Sequence, residues 1–132
     1  MTIRRRTLLA TGVLAMATGA HATATQAFLV YFEFDSAARD AKAFDVAAEA
    51  AAYALAGKPT RVRITGHADA AEPNAFDLSM TRAKAVADML IQRGIPASII
   101  FVEGKAATQP AVLKPSGVAE RLNRRAEIDV AF

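Results

Sequence analysis

Leu78-Ser79-Met80-Thr81-Arg82-Ala83-Lys84-Ala85-Val86-Ala87-Asp88-Met89-Leu90 places Leu78, Ala85, Val86, Met89 and Leu90 at the three- and four-residue spacing of one helix face. Arg82 falls inside that apolar stripe, four residues after Leu78 and four before Val86, so it should point where the apolar side chains point. A guanidinium at the edge of a core requires an anion or several acceptors. Upstream, Gly66-His67-Ala68-Asp69 closes a predicted strand and supplies a carboxylate. Downstream, Asn123-Arg124-Arg125 opens the last predicted strand.

The remaining elements follow from the same kind of pattern. Phe28 to Phe34 is aromatic and β-branched, a strand whose nearly continuous apolar character implies burial on both faces. Asp35-Ser36 breaks it. Ala38 to Leu55 is alanine-rich, with Phe44, Ala47, Ala48, Ala51 and Leu55 at helical spacing, and Gly57-Lys58-Pro59 stops that helix. Arg61 to Thr65 alternates as a strand, with Val62 and Ile64 on one face. Asn74 or Asp77 can cap the second helix, which runs to about Arg93 and ends at Gly94-Ile95-Pro96. Ile99 to Glu103 is a third strand. After a long connection, with one short helical turn near Gly117 to Arg121, Ala126 to Phe132 alternates as the fourth. The order β-α-β-α-β-loop-β specifies an α/β fold, an α+β two-layer sandwich.

With 132 residues the chain holds one domain at most. It has no cysteine, which excludes disulfides, thiol chemistry and a lipid-attachment cysteine. Residues 1–22 read as an export signal. Arg4-Arg5-Arg6 is a basic start, Leu8 to Ala20 a weakly apolar run, and Ala20-His21-Ala22 a small-x-small cleavage pattern. Arg5-Arg6-Thr7-Leu8-Leu9 fits a twin-arginine signal equally well. The apolar run is short of the roughly 20 residues of a spanning helix, so no transmembrane segment is expected in the mature chain. Three of the 16 basic residues lie in this leader, leaving 13 against 13 acidic ones. Near-neutral charge without a basic patch interleaved with aromatics argues against nucleic acid.

Several of these pieces, in order, make residues 28–132 resemble the OmpA-like peptidoglycan-binding family. They are Phe32-Glu33-Phe34-Asp35-Ser36-Ala37, GHAD at Gly66 to Asp69, LSMTRA at Leu78 to Ala83, Gly104-Lys105 with Gln109-Pro110-Ala111, and NRRAEI at Asn123 to Ile128. The chain is close to the wall-binding domain of peptidoglycan-associated lipoproteins, without their lipidation cysteine. The resemblance implies an OmpA-like fold, a periplasmic location associated with the outer membrane or cell wall, and peptidoglycan as partner, gripped at the diaminopimelate residue of its stem peptide. Outer-membrane or other envelope proteins would be further partners. No cofactor or metal is implied.

Diaminopimelate that is not cross-linked ends in an ammonium and a carboxylate. A reader of that zwitterion needs an anion and a cation a few ångströms apart. By resemblance, Asp69 accepts from the ammonium and Arg82 donates a bidentate pair to the carboxylate. Of Arg124 and Arg125, strand alternation lets one reach the ligand, and Arg125 is the candidate. Asn74 stands beside Ala75, which occupies the position of the family's loop asparagine, and Asp35 lies where the family's groove is lined. The plain structural roles for these side chains are a salt bridge between Asp69 and Arg82, an ion pair of Arg125 with Glu120 or Glu127, and Asp35 as a helix cap. The loop between Asp69 and Arg82 is shorter than the family's and is stiffened by Pro73.

The sequence does not read as an enzyme. His67, Asp69 and Ser79 are the residue types of a hydrolytic triad, but no nucleophile elbow precedes Ser79. One histidine with Asp69 and Glu72 is a poor set for a transition metal. The expected function is therefore non-covalent peptidoglycan binding. The alternative is a degenerate OmpA-like fold serving as a periplasmic protein–protein interaction module.

Overall fold

The computed structural model describes residues 26–132; the expected export signal lies outside the described residues. Four strands and two α-helices follow in the expected order: β1 (Gln26–Tyr31), α1 (Ala41–Ala56), β2 (Arg61–Gly66), α2 (Ala75–Gln92), β3 (Ile100–Gly104) and β4 (Arg125–Ala131). Short 3-10 turns at Ala97–Ile99 and Arg121–Asn123 lead into β3 and β4. The sheet order is β1-β4-β2-β3. β4 is antiparallel to both neighbours, pairing Phe28 with Ile128 on one side and Ile64 with Ile128 on the other. β2 and β3 are parallel, as a strand–helix–strand crossover requires.

Alternation sorts the sheet into two faces. Val30, Val62, Ile64, Ile128 and Val130 face the helices and form the core with Val86, Met89 and Leu90 of α2. Of the expected stripe of α2, Arg82, Val86, Met89 and Leu90 are buried, Leu78 and Ala85 lie half-buried at its edge, and Ser79, Ala83 and Ala87 complete the inward face. The exit of α2 is also as read: Gly94 is left-handed (φ 101°), and the Ile95 N–H returns to the Leu90 carbonyl. On the opposite face Arg63 sits between Asp129 and Phe101 in register and reaches Glu103 at 3.8 Å. Among the described residues no helix is long and apolar enough to cross a membrane.

Three expectations shift. The stripe of α1 that faces inward is Ala43, Ala47, Ala50, Ala51 and Ala54, while Phe44 and Leu55 are exposed. Methyl groups let the helix settle close to its neighbours, and Arg39 covers Phe44 from outside, its guanidinium 5.7 Å from the ring. The helix begins at Ala41, where Asp40 Oδ1 accepts the Ala43 N–H at 2.8 Å; Asp40, and not Asp35, is the cap. Finally, β1 ends at Tyr31, so Phe32 to Ser36 leave the sheet and run past the start of α2.

α2 lies close over β2. A Cβ at Gly66 would overlap the carbonyl oxygen of Ser79, so only glycine allows the helix this near the strand. Ser79 is fully buried; its Oγ donates to the Phe76 carbonyl at 2.7 Å and accepts the Ala106 N–H at 3.0 Å. The first turn of α2 is thereby fixed to the chain leaving β3.

Candidate functional site: a buried carboxylate cradle

Arg82 is the largest fully buried side chain among the described residues. α2 carries it inward within two turns of the helix start. Its five N–H donors are all used. Nε donates to the Ser36 carbonyl at 3.0 Å. Nη1 donates to the His67 carbonyl at 2.9 Å and to Glu72 Oε1 at 2.7 Å. Nη2 donates to the Glu33 carbonyl at 3.1 Å and to Glu72 Oε2. The guanidinium carbon lies 5.3 Å from the centre of the Phe32 ring. This is the complete donor inventory of an arginine, satisfied from two chain segments and one carboxylate.

Glu72 is as fully enclosed as its partner, each side chain being 0 % exposed. Besides the two bonds from Arg82, Oε1 accepts the Asp69 N–H at 2.8 Å and Oε2 accepts the Asp35 N–H at 2.8 Å. Asp35 has a left-handed backbone (φ 51°), one of three non-glycine residues to do so among those described. A fork of two guanidinium donors and two backbone N–H groups thus surrounds one carboxylate on both oxygens.

Asp69 lies three residues beyond the end of β2 and is also buried. Its Oδ1 accepts the Ala71 N–H at 2.9 Å, a tight local turn. Its Oδ2 accepts the Glu120 N–H at 3.0 Å and Arg124 Nη1 at 3.2 Å. Arg124 Nε donates to the Phe32 carbonyl at 3.0 Å. Asp69 therefore pairs with Arg124, Arg82 pairs with Glu72, and the two pairs are joined through the Asp69 backbone.

The structure thus brings Asp69, Arg82 and the Asp35 backbone together. It does not bring Arg125 to this group. Arg125 shares the open sheet face with Glu127 two residues on, and its Nη2 donates to Glu127 Oε2 at 2.8 Å and to the Gln109 carbonyl at 3.2 Å. Arg124 still belongs to the turn before β4 and so escapes the alternation, which is why it is the member that reaches Asp69. Asn74 immediately precedes α2 with φ 50°, makes no side-chain capping bond, and offers its carbonyl to the Leu78 N–H. Glu72 is the residue that sequence reasoning missed as a partner. Its signal was a carboxylate in the short loop before Arg82.

His67 contributes its backbone, not its ring, to this site. The ring is buried, and among the described residues neither nitrogen has a hydrogen-bond partner; Nε2 stands 3.7 Å from Glu127 Oε2. Burial lowers its pKa below the usual 6.5, and the Arg125 charge lowers it further, against the opposing pull of Glu127. Ser79 and His67 share no hydrogen bond, so the residues of the apparent triad are not assembled. No cluster among the described residues could hold a metal ion. A cavity of about 310 Å³ opens beside β1 and α1, lined by Tyr31, Glu33, Lys42 and Arg121 among others, but Asp69, Glu72 and Arg82 do not line it.

Comparison with known proteins adds a family pattern, described as the OmpA family, over residues 31–124. An outer membrane protein of Gluconacetobacter diazotrophicus is 32 % identical over 80 % of this chain, which spans only 30 % of that protein's length. The peptidoglycan-associated lipoprotein of Burkholderia pseudomallei shares the fold with a TM-score of 0.70 at 23 % identity, covering 78 % of this chain and 89 % of that one. The cell wall anchor of the T6SS from Pseudomonas aeruginosa gives 0.67 at 26 % identity, covering 83 % and 87 %.

Proposed function

We propose that this chain, which belongs to the OmpA family, binds peptidoglycan non-covalently in the cell envelope through the group around Asp69 and Arg82. The observation that carries the reading is the cradle itself: a buried guanidinium fork and two backbone N–H groups built around a carboxylate, with the Asp69 carboxylate one turn of loop away. The diaminopimelate side chain presents the matching carboxylate and ammonium. A solved neighbour described as peptidoglycan-associated and another described as a cell wall anchor support the same partner. The domain acts as a binding module and turns nothing over. The periplasm is the compartment where such a partner is met, and outer-membrane or other envelope proteins are its further contacts.

The test is retention of the chain on purified sacculi, with free diaminopimelate as competitor and Asp69→Asn as the variant, folding being checked by circular dichroism. Retention that diaminopimelate abolishes and folded Asp69→Asn lacks is the expected result. A folded parent that sacculi do not retain overturns the reading.

One observation favours a second reading, a protein–protein module on a degenerate fold: every donor of Arg82 is already taken inside the chain. Such a module would ignore both sacculi and diaminopimelate.

A further inference from the structure

We infer that Glu72 is a tethered occupant of a carboxylate receptor, an internal stand-in that a free carboxylate must displace; this rests on, and deepens, the binding reading just given. The receptor's parts come from three places in the chain: Arg82 on α2, the Asp69 N–H after β2 and the Asp35 N–H after β1. Two of these groups, Arg82 and Asp69, are held by other bonds as well, while the Asp35 N–H is bonded to Glu72 itself. Arg82 is also held by the carbonyls of Glu33, Ser36 and His67. Asp69 is held by Ala71, Glu120 and Arg124.

The occupant, by contrast, hangs on an exposed segment. In the stretch from 70 to 74, Glu72 alone is buried; Ala70, Pro73 and Asn74 are exposed. The backbone turns left-handed at Asn74 (φ 50°), two residues after Glu72. Withdrawing the side chain therefore requires movement of a short surface loop, with β2 and α2 staying in place. The carboxylate that leaves carries one negative charge and the carboxylate that enters replaces it, so both end states compensate the buried guanidinium, and the cost of the unpaired open state between them keeps that state rare.

The consequence is a tax on affinity. A ligand meets a receptor that is self-occupied most of the time, and its apparent dissociation constant rises by the inverse of the open fraction. Glu72 thereby sets how strong a carboxylate ligand must be to register, and it selects ligands whose second group, the ammonium, adds contacts that Glu72 lacks.

The experiment is a set of thermal melts of the parent, Glu72→Ala and Glu72→Gln in acetate against chloride at matched ionic strength. Acetate should raise the midpoint of Glu72→Ala by several degrees and leave that of the parent unchanged, since it binds the folded state only where the cradle is vacated. Should Glu72→Ala not fold in chloride, recovery of its helical circular dichroism in acetate is the same readout. Glu72→Gln keeps the shape and loses the charge, so it holds the cradle less firmly and should also gain from acetate. Failure of both variants to respond beyond the parent overturns the inference. Sacculus retention is read in parallel. If the cradle also serves the wall, Glu72→Gln should bind free diaminopimelate about tenfold tighter than the parent, as release from self-occupation predicts. An acetate response without sacculus retention by any variant leaves the receptor standing and removes the peptidoglycan reading. Retention by the parent without any acetate response does the reverse.

Discussion

Arg82 and Glu72, ten residues apart in the chain, form a bidentate ion pair from which both side chains are wholly shielded from solvent. Removing one half of such a pair leaves an uncompensated buried charge. Arg82→Ala should therefore cost about 3–5 kcal/mol in a urea melt, well above a surface substitution. Replacing both partners by apolar residues, Arg82→Met with Glu72→Leu, should cost clearly less than the two single changes added together. Near-additive losses would contradict the pairing.

Asp69 fixes the long connection between β3 and β4 by accepting from the Glu120 N–H and from Arg124. Asp69→Asn removes the charge but keeps an oxygen for the turn at Ala71. The expected loss is about 1–3 kcal/mol, the cost of leaving a buried charged partner poorly met. Hydrogen exchange should speed at the Glu120 amide and stay slow in β2. Uniform acceleration across the sheet would argue against a local tether.

The depressed pKa of His67 gives a signed dependence on pH. Burial first, and the Arg125 charge second, keep the folded ring neutral where the unfolded ring has begun to take a proton. The unfolded state then binds more protons, so stability rises with pH across the interval between the two values. The contribution is whole above the ordinary 6.5 and is lost as pH falls below it through the folded value. Denaturant midpoints between pH 5 and pH 8, roughly the interval where an imidazole titrates, should fall on the acid side for the parent and fall less for His67→Gln. Asp129, whose pKa is raised by burial and then by Glu127, acts oppositely, because its folded carboxyl keeps a proton longer than the unfolded one. Its window opens just above 3.8 and stability there declines as pH rises, so the two slopes separate on the pH axis.

Gly66→Ala should be severe. Its Cβ would meet the Ser79 backbone, and a helix backbone does not yield as a side-chain tip does. The expected cost is at the upper end of the 1–3 kcal/mol typical of overpacking, or above it. Gly117→Ala meets nothing within 4 Å and carries only the strain of φ 81°, so it should lose about 1 kcal/mol. Comparable melting points for the two variants would contradict the close seating of α2 on β2.

What the sequence revealed follows from where physics is local. The apolar spacing of α2 and the alternation of β2 and β4 are periodic signals, and the structure follows them. α1 was found, and Ala47 and Ala51 of its expected stripe are buried, but the ends of that stripe were misplaced. A run of alanines has no preferred face, and Phe44 and Leu55 lie outward because the helix packs through methyl groups. The strand through Phe34 stops early at Tyr31 because Glu33 and Ser36 turn their carbonyls to Arg82, a demand from a residue almost 50 positions away. The buried Arg82 was legible from its place in the stripe. Its partner was not, since Glu72 reaches it only through the particular turn that Asp69 and Asn74 impose on the loop. Arg124 and Arg125 differ by one position, and only the extent of the turn before β4 decides which faces Asp69.

The pairing of β1 with β4 also has a mechanical meaning. β1 runs from Gln26, opposite Val130, to Tyr31, opposite Arg125, and the cradle lies just past the Tyr31 end. A pull applied ahead of Gln26 against something gripped at the cradle is directed along β1. It crosses the ladder at right angles to its hydrogen bonds, which then share the load in shear instead of parting one after another. For a domain held at one end and gripping at the other, that is the direction in which a sheet resists tension best.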